Sequence, residues 1–239
     1  LDVMTKVNAV VMDKTGTLTK GVFKVQEVVA NSIDKTELVR LTAALEKNST
    51  HPIAKAVTDY ADDKTNGEKA EEVEEISGHG LKGKVDGKQV LAGNVKLLRK
   101  YNIAYPAEIE NIVDTIVVTA INNQYSGYIT IADEIKEDAA QAVKDMHSLN
   151  IKTVMLSGDK QSVVNEVAKK VGIDEAYGDL LPEGKVEKVQ QLKNEGKHIA
   201  FVGDGVNDAP VVALADAGIA MGGLGSDATI ETADVVIQN

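Results

Sequence analysis

The chain has 239 residues, 43% of them hydrophobic, and 26 Lys and Arg against 37 Asp and Glu, for a formal net charge of −11. That length supports one large domain or two modest ones with proper cores, and the acidity, with no long basic run, speaks against a nucleic-acid partner. The absence of cysteine excludes a disulfide scaffold and any thiolate metal site, and no run approaches the ~20 apolar residues of a membrane span.

The first element is the apolar run Ala9-Val10-Val11-Met12. Continuous rather than alternating, it predicts a parallel strand buried on both faces. It delivers Asp13-Lys14-Thr15-Gly16-Thr17-Leu18-Thr19 to the strand's carboxyl end, where open α/β sheets bind ligands. The Thr-Gly-Thr portion allows a tight turn and offers hydroxyls and N–H groups to an anion. Such a setting suits an Asp that attacks a phosphoryl group and holds it as an aspartyl phosphate.

Residues 22–29 read as an extended segment. A helix follows over residues 36–46, with Leu38, Leu41 and Leu45 at helical spacing, and Ser49-Thr50-His51-Pro52 starts another whose apolar stripe is Ile53, Ala56, Val57, Tyr60 and Ala61. Residues 62–75 are charged and read as a solvated loop and helix face. Short strands come next, with hairpin signals at Asp86-Gly87 and Asn122-Asn123 and a helix between them over residues 95–101. Residues 30–132 thus read as a small α+β domain.

At Asp133 the rhythm changes. Ile135, Ala139, Ala142, Val143, Met146 and Leu149 share one helical face. Then come a strand at 153–156, a helix around Val163, Val164, Val167 and Val171, a helix near Val186, Val189 and Leu192, and a strand at 199–202. Strands near 218–221 and 234–237 complete a β-α-β-α alternation to which the first strand also belongs. The small domain is therefore an insertion after strand one, and the chain crosses between domains twice, near 22–33 and 129–134. The strand-end rule gathers Asp13, Ser157-Gly158-Asp159 and Gly203-Asp204-Gly205-Val206-Asn207-Asp208 around one crevice.

The heptapeptide at 13–19 resembles the phosphorylation motif of the P-type ATPases. The segments at 157–159, Leu181-Pro182-Glu183-Gly184-Lys185 and 203–208 match that family in the same order. So do Glu46, Ser49, His51 and Pro52, followed by Gly78-His79-Gly80-Leu81-Lys82-Gly83 and Gly93-Asn94, which are similar to the nucleotide domain of its heavy-metal branch. The segment at 222–234 looks more like the zinc/cadmium/cobalt pumps than the copper pumps. The resemblance implies a haloacid-dehalogenase-like α/β phosphorylation domain over residues 1–29 and 133–239, carrying a parallel sheet, and an inserted nucleotide-binding domain over 30–132. It implies the cytosolic catalytic loop of a membrane pump, on the cytoplasmic face, soluble and monomeric as a piece, with ATP and Mg²⁺ as ligands and the pump's membrane helices and actuator domain as partners.

Within that expectation Asp13 is the nucleophile. Asp204 and the Thr15 carbonyl join it on Mg²⁺, a hard cation that prefers oxygen, and Asp208 and Asn207 hold the metal and its waters. Ser157, where the family more often has Thr, offers its hydroxyl to the phosphate beside Gly158 and Asp159, and Lys185 neutralises the phosphoryl charge. Lys14 is adjacent, with no direction readable. Glu46, Ser49, His51, Gly78, Gly80, Gly83 and Asn94 would hold the nucleotide, the glycines letting backbone come close. A soluble phosphatase of the same fold and a non-catalytic nucleotide-binding module are the alternatives. Hydrolytic relatives carry a second Asp two residues after the nucleophile as general acid/base; Thr15 stands there, which speaks against the first. The joint presence of Asp13, Asp204 and Lys185 speaks against the second.

Overall fold

Every residue of the first strand, β1 (Ala9–Asp13), is buried, as its unbroken apolar run requires. The computed structural model describes residues 7–62, 68–203, 217–221 and 235–237. In chain order the further strands are β2 (Thr19–Ala30), β3 (Ala70–Ile76), β4 (Gly80–Val85), β5 (Lys88–Gly93), β6 (Thr115–Ile121), β7 (Gln124–Ile135), β8 (Lys152–Leu156), β9 (Glu175–Tyr177), β10 (Ile199–Gly203), β11 (Ala217–Met221) and β12 (Val235–Ile237). The α-helices are α1 (Lys35–Glu46), α2 (Pro52–Ala61), α3 (Val95–Lys100), α4 (Ala139–Ser148), α5 (Gln161–Val171) and α6 (Pro182–Asn194). Two compact units result, Leu1–Val22 with Asp133–Asn239, and Phe23–Ala132.

The first unit is built on a six-stranded sheet in the order β12-β11-β10-β1-β8-β9, with every described pairing parallel. Val10, Met12 and Met155 pack under α4 and α5 through Val143, Val164, Val167 and Val171. Ala9, Val11, Val154, Leu156 and Phe201 pack under α6 through Val189 and Leu192. A parallel sheet covered on both faces is what makes its strands read as continuous apolar runs. The face expected from Ile135 to Leu149 is corrected: Ile135 ends β7, the helix starts at Ala139, and Leu149 lies beyond it, 71% exposed.

The second unit is an antiparallel sheet in the order β2-β7-β6-β5-β4-β3. On one face Leu38, Leu41 and Leu45 of α1 and Val57 of α2 pack on Leu81, Val85, Val90 and Ile129. On the other, Leu97 and Leu98 of α3 and Ile109 pack on Leu91, Val118 and Ala120. Both hairpin signals correspond to turns with positive φ at both central residues, Asp86 and Gly87 (53° and 73°) and Asn122 and Asn123 (50° and 63°), the geometry that favours Asn, Asp and Gly.

The sequence assigns residues up to 29 to the first domain, whereas the second compact unit already starts at Phe23, inside the crossing expected near 22–33. Phe23, Val25 and Val28 of β2 join the core beneath α1. A second correction concerns residues 62–75: Ala70–Ile76 is an edge strand, not a loop and helix face. Its exposed Glu71, Glu72, Glu74 and Glu75 hide the strand from propensity reasoning, and its register shifts between Glu71 and Glu74. Charge and a bulge on an edge strand both discourage pairing with another chain.

Candidate active site

Asp13 closes β1 with 6% of its surface exposed. The chain then turns back sharply, with Thr15 at φ −72°, ψ 124° and Gly16 at φ 82°, ψ −16°. These are the central angles of a type II turn, whose third position calls for glycine. Lys185, in the first turn of α6, places its Nζ 3.0 Å from Asp13 Oδ1 across 172 residues of sequence. A lysine in a helix's first turn opposes the macrodipole, so helix stability does not account for it; the Asp13 carboxylate does.

Strand β8 pairs with β1 so that Leu156 sits opposite Asp13, which brings Ser157 out beside the Asp13 turn. Ser157 is buried, and its Oγ accepts the Asp159 N–H at 3.0 Å. Its own hydroxyl proton stays available to an acceptor. At Gly158 a Cβ would stand 3.2 Å from the Leu180 carbonyl oxygen, so the chain passes too closely for a side chain to fit easily. Lys14, whose direction the sequence left open, is 1% exposed and pairs with Asp159 at 2.6 Å. Asp159 therefore ties the loop after β1 to the loop after β8.

The third strand-end motif follows β10, the other neighbour of β1. Its Asp204, Asn207 and Asp208 lie outside the described residues. The donors the loop can bring to a cation, the Asp13 carboxylate and the Thr15 carbonyl, are hard oxygens, which fits Mg²⁺.

The second unit contains a cavity of about 340 Å³ lined by Glu46, Ser49, His51, Gly78, Gly80 and Asn94 among others. Glu46, the last residue of α1, is 7% exposed, and burial pushes its carboxyl up to about 7. His51 caps α2: its Nδ1 accepts the Ile53 N–H at 3.1 Å. That bond leaves Nε2 to carry the proton of the neutral ring, a donor. Ser49 Oγ accepts the His51 N–H at 3.2 Å.

Asn94 has both ends of its amide engaged. Oδ1 accepts the Leu97 N–H at 3.3 Å and caps α3, while Nδ2 donates to the Gly78 carbonyl at 2.8 Å. It shapes the wall as much as it faces the space. Gly80 and Gly93 meet across β4 and β5, where a Cβ would come within 2.3 Å of the Ala92 oxygen and 2.1 Å of the His79 oxygen. Gly83 does not line this cavity; a Cβ there would sit 2.9 Å from Leu45 Cδ1, so its missing side chain admits α1 to the sheet. His79, Ile116 and Val117 line the cavity as well. His79 stood inside the glycine stretch as a signal; the other two are ordinary strand residues that carry none.

The profile of the haloacid dehalogenase-like hydrolases matches residues 7–216. A zinc-transporting ATPase of Synechocystis sp. is 51% identical over 99% of this chain and 33% of its own length. A cadmium, zinc and cobalt-transporting ATPase of Bacillus subtilis is 47% identical over 99% of this chain and 34% of its own. The chain thus spans about a third of the length of these curated relatives. The solved catalytic domain of the CPx-ATPase CopB-B, from a description of its conformational changes on nucleotide binding, superposes with a TM-score of 0.76 at 32% identity, covering 98% of this chain and 86% of that one. On these matches the chain belongs to the haloacid dehalogenase-like hydrolases and, within them, to the catalytic domains of the heavy-metal P-type ATPases.

Proposed function

We propose that this chain binds ATP in the cavity of its second unit and is phosphorylated by it on Asp13, as the catalytic part of a pump that exports a heavy-metal ion. The observation that carries the reading is the Lys185 Nζ at 3.0 Å from the Asp13 carboxylate, in a loop with Thr15 where a phosphatase would keep a second carboxylate.

In the proposed step an Asp13 carboxylate oxygen attacks the γ-phosphorus in line, the bond to the β-phosphate bridging oxygen breaks, and ADP leaves with that electron pair. Lys185 and the Ser157 hydroxyl meet the charge developing on the phosphoryl oxygens. Mg²⁺, held by Asp13, the Thr15 carbonyl and Asp204, would supply charge neutralisation there. With no carboxylate at Thr15 to activate water, hydrolysis of the acyl phosphate is slow, which suits an intermediate whose energy drives transport. Glu46 and the His51 Nε2–H present an acceptor or acid and a donor to a base edge, with Gly78 and Gly80 as close backbone. The phosphates must then reach Asp13, because transfer needs the reacting atoms within about 3–3.5 Å.

On this reading the chain works on the cytoplasmic face of a membrane with the rest of the pump, its membrane helices and actuator domain, and the ion is of the zinc, cadmium or cobalt kind. Support for the ion comes from the names of the relatives at 51% and 47% identity. The test is labelling with γ-labelled Mg-ATP. An acid-stable, hydroxylamine-labile label is expected, lost in Asp13→Asn while nucleotide affinity stays within a few-fold. Label surviving in that variant removes Asp13 from the mechanism.

A further inference from the structure

The turn that follows Asp13 is held from behind by two residues outside it. Thr19, fully buried, sends its backbone N–H to the Lys14 carbonyl. Its Oγ1 lies 3.1 Å from that same carbonyl, 3.4 Å from the Gly16 nitrogen and 2.5 Å from Asp133 Oδ2. A hydroxyl has one proton to give. The carboxylate is the shorter and charged acceptor, and the Lys14 carbonyl already has a backbone donor, so the proton goes to Asp133. A lone pair on Oγ1 then receives the Gly16 N–H. The result is a directed chain, Gly16 N–H to Thr19 O–H to Asp133 carboxylate, in which each bond polarises the next.

Asp133 is itself anchored, its Oδ1 accepting the Val22 N–H at 3.0 Å. The Lys136 N–H reaches the Leu18 carbonyl at 2.9 Å. The outgoing and returning segments of the chain are thus fastened together at the base of the turn.

The Gly16 N–H and the Thr15 carbonyl belong to one planar trans peptide, so they point in opposite directions. That peptide is also the central one of the turn. Rotating it by about half a turn is what separates type II from type I, and the rotation would redirect the carbonyl. Holding the N–H toward Thr19 therefore holds the Thr15 oxygen away from Thr19. We propose that Thr19 and Asp133 are positioning residues that lock the Thr15–Gly16 peptide and so aim the Thr15 carbonyl at the cation beside Asp13. This rests on the reading of Thr15 as an oxygen donor to Mg²⁺.

The test uses the 239-residue chain and amide resonances, with Mg²⁺ alone as the probe. Thr19→Val keeps the shape and removes the hydroxyl. It should displace the Gly16 amide resonance in the metal-free protein and raise the Mg²⁺ dissociation constant, read from the loop amides, by roughly ten-fold or more, the usual effect of losing a group that orients a metal ligand. Thr19→Ser should restore both. Nucleotide affinity, seated on the other unit, should stay within about two-fold. Asp133→Asn, which still accepts from Val22 but offers Thr19 no carboxylate, should move both readouts in the same direction by less. It carries the comparison if Thr19→Val fails to fold. An unchanged Mg²⁺ constant in folded Thr19→Val or Asp133→Asn overturns the proposal. A wild-type protein whose loop amides ignore Mg²⁺ overturns the metal reading along with it, and the wild-type titration alone tells these failures apart.

Discussion

Lys14 and Asp159 form an ion pair of 2.6 Å in which the lysine side chain is 1% exposed and the aspartate 35%. The two ends are unequal. If Asp159 is removed, a fully buried ammonium loses its ion-pair partner among the described residues; if Lys14 is removed, the remaining carboxylate still meets water. Asp159→Ala should therefore destabilise by about 2–4 kcal/mol and Lys14→Met by distinctly less, the exposure of Asp159 bringing the first figure below that of a fully buried pair. Urea unfolding at neutral pH measures both. Equal losses would mean that Lys14 is solvated in solution.

Glu46 gives a pH dependence of defined sign. Burial raises its carboxyl from 4.5 to about 7, so between those values the folded protein holds a proton that the unfolded chain has released. Stability then falls as pH rises from about 4.5 to 7 and levels off above, by on the order of 3 kcal/mol in total. Glu37, Asp174 and Glu175, whose carboxyls are lowered, act below that window with the opposite slope. Glu46→Gln should flatten the profile between pH 5 and pH 8 and be more stable than the parent at pH 8. A profile unchanged by the substitution counts against a buried, protonated Glu46.

The helix cap that His51 makes and the ATP contact proposed for it can be separated by substitution. His51→Ala loses both the helix cap and the ring, so weaker ATP binding in it would be ambiguous. Asn keeps a side-chain acceptor for the Ile53 N–H, so His51→Asn should melt within about 0.5 kcal/mol of the parent. Its ATP affinity should still drop by about five- to thirty-fold, the equivalent of one lost hydrogen bond of 1–2 kcal/mol. Thermal melts and calorimetry of the same preparation decide the matter. Unchanged affinity would assign His51 to the cap alone.

Thr17 Oγ1 is buried and makes no hydrogen bond among the described residues, within the loop that follows Asp13. An unpaired hydroxyl there lowers stability, so Thr17→Val should leave stability unchanged or raise it by about 1 kcal/mol. A loss of more than about 1 kcal/mol in urea unfolding would reveal a partner for the hydroxyl.

Much of this molecule is legible from local signals. The continuous runs at 9–12, 153–156 and 199–202 belong to a sheet buried on both faces. The hairpin residues at 86–87 and 122–123 carry the positive φ they advertise, and the strand-end rule puts Asp13 beside Ser157 through the register of β1 and β8. Each depends on a few neighbouring residues, where periodicity and turn chemistry act directly. The charged strand Ala70–Ile76 escaped because its pairing with β4 overrides its weak intrinsic preference.

Which side chains meet is a different matter. That Lys14 turns inward to Asp159, that Asn94 holds the Gly78 carbonyl, that Gly83 faces Leu45, and that Thr19 meets Asp133 across 114 residues follows only from the folded chain. Such pairs depend on strand register, helix docking and the place where the chain returns to the first unit, none of which leaves a period or a turn signal near the residues concerned. The sequence by itself determined the layers of each unit and named the candidate residues. The tertiary structure decided which of those residues are free to meet a ligand and which are held by one another, because a hydrogen-bonding group has few partners to give and only three-dimensional proximity assigns them.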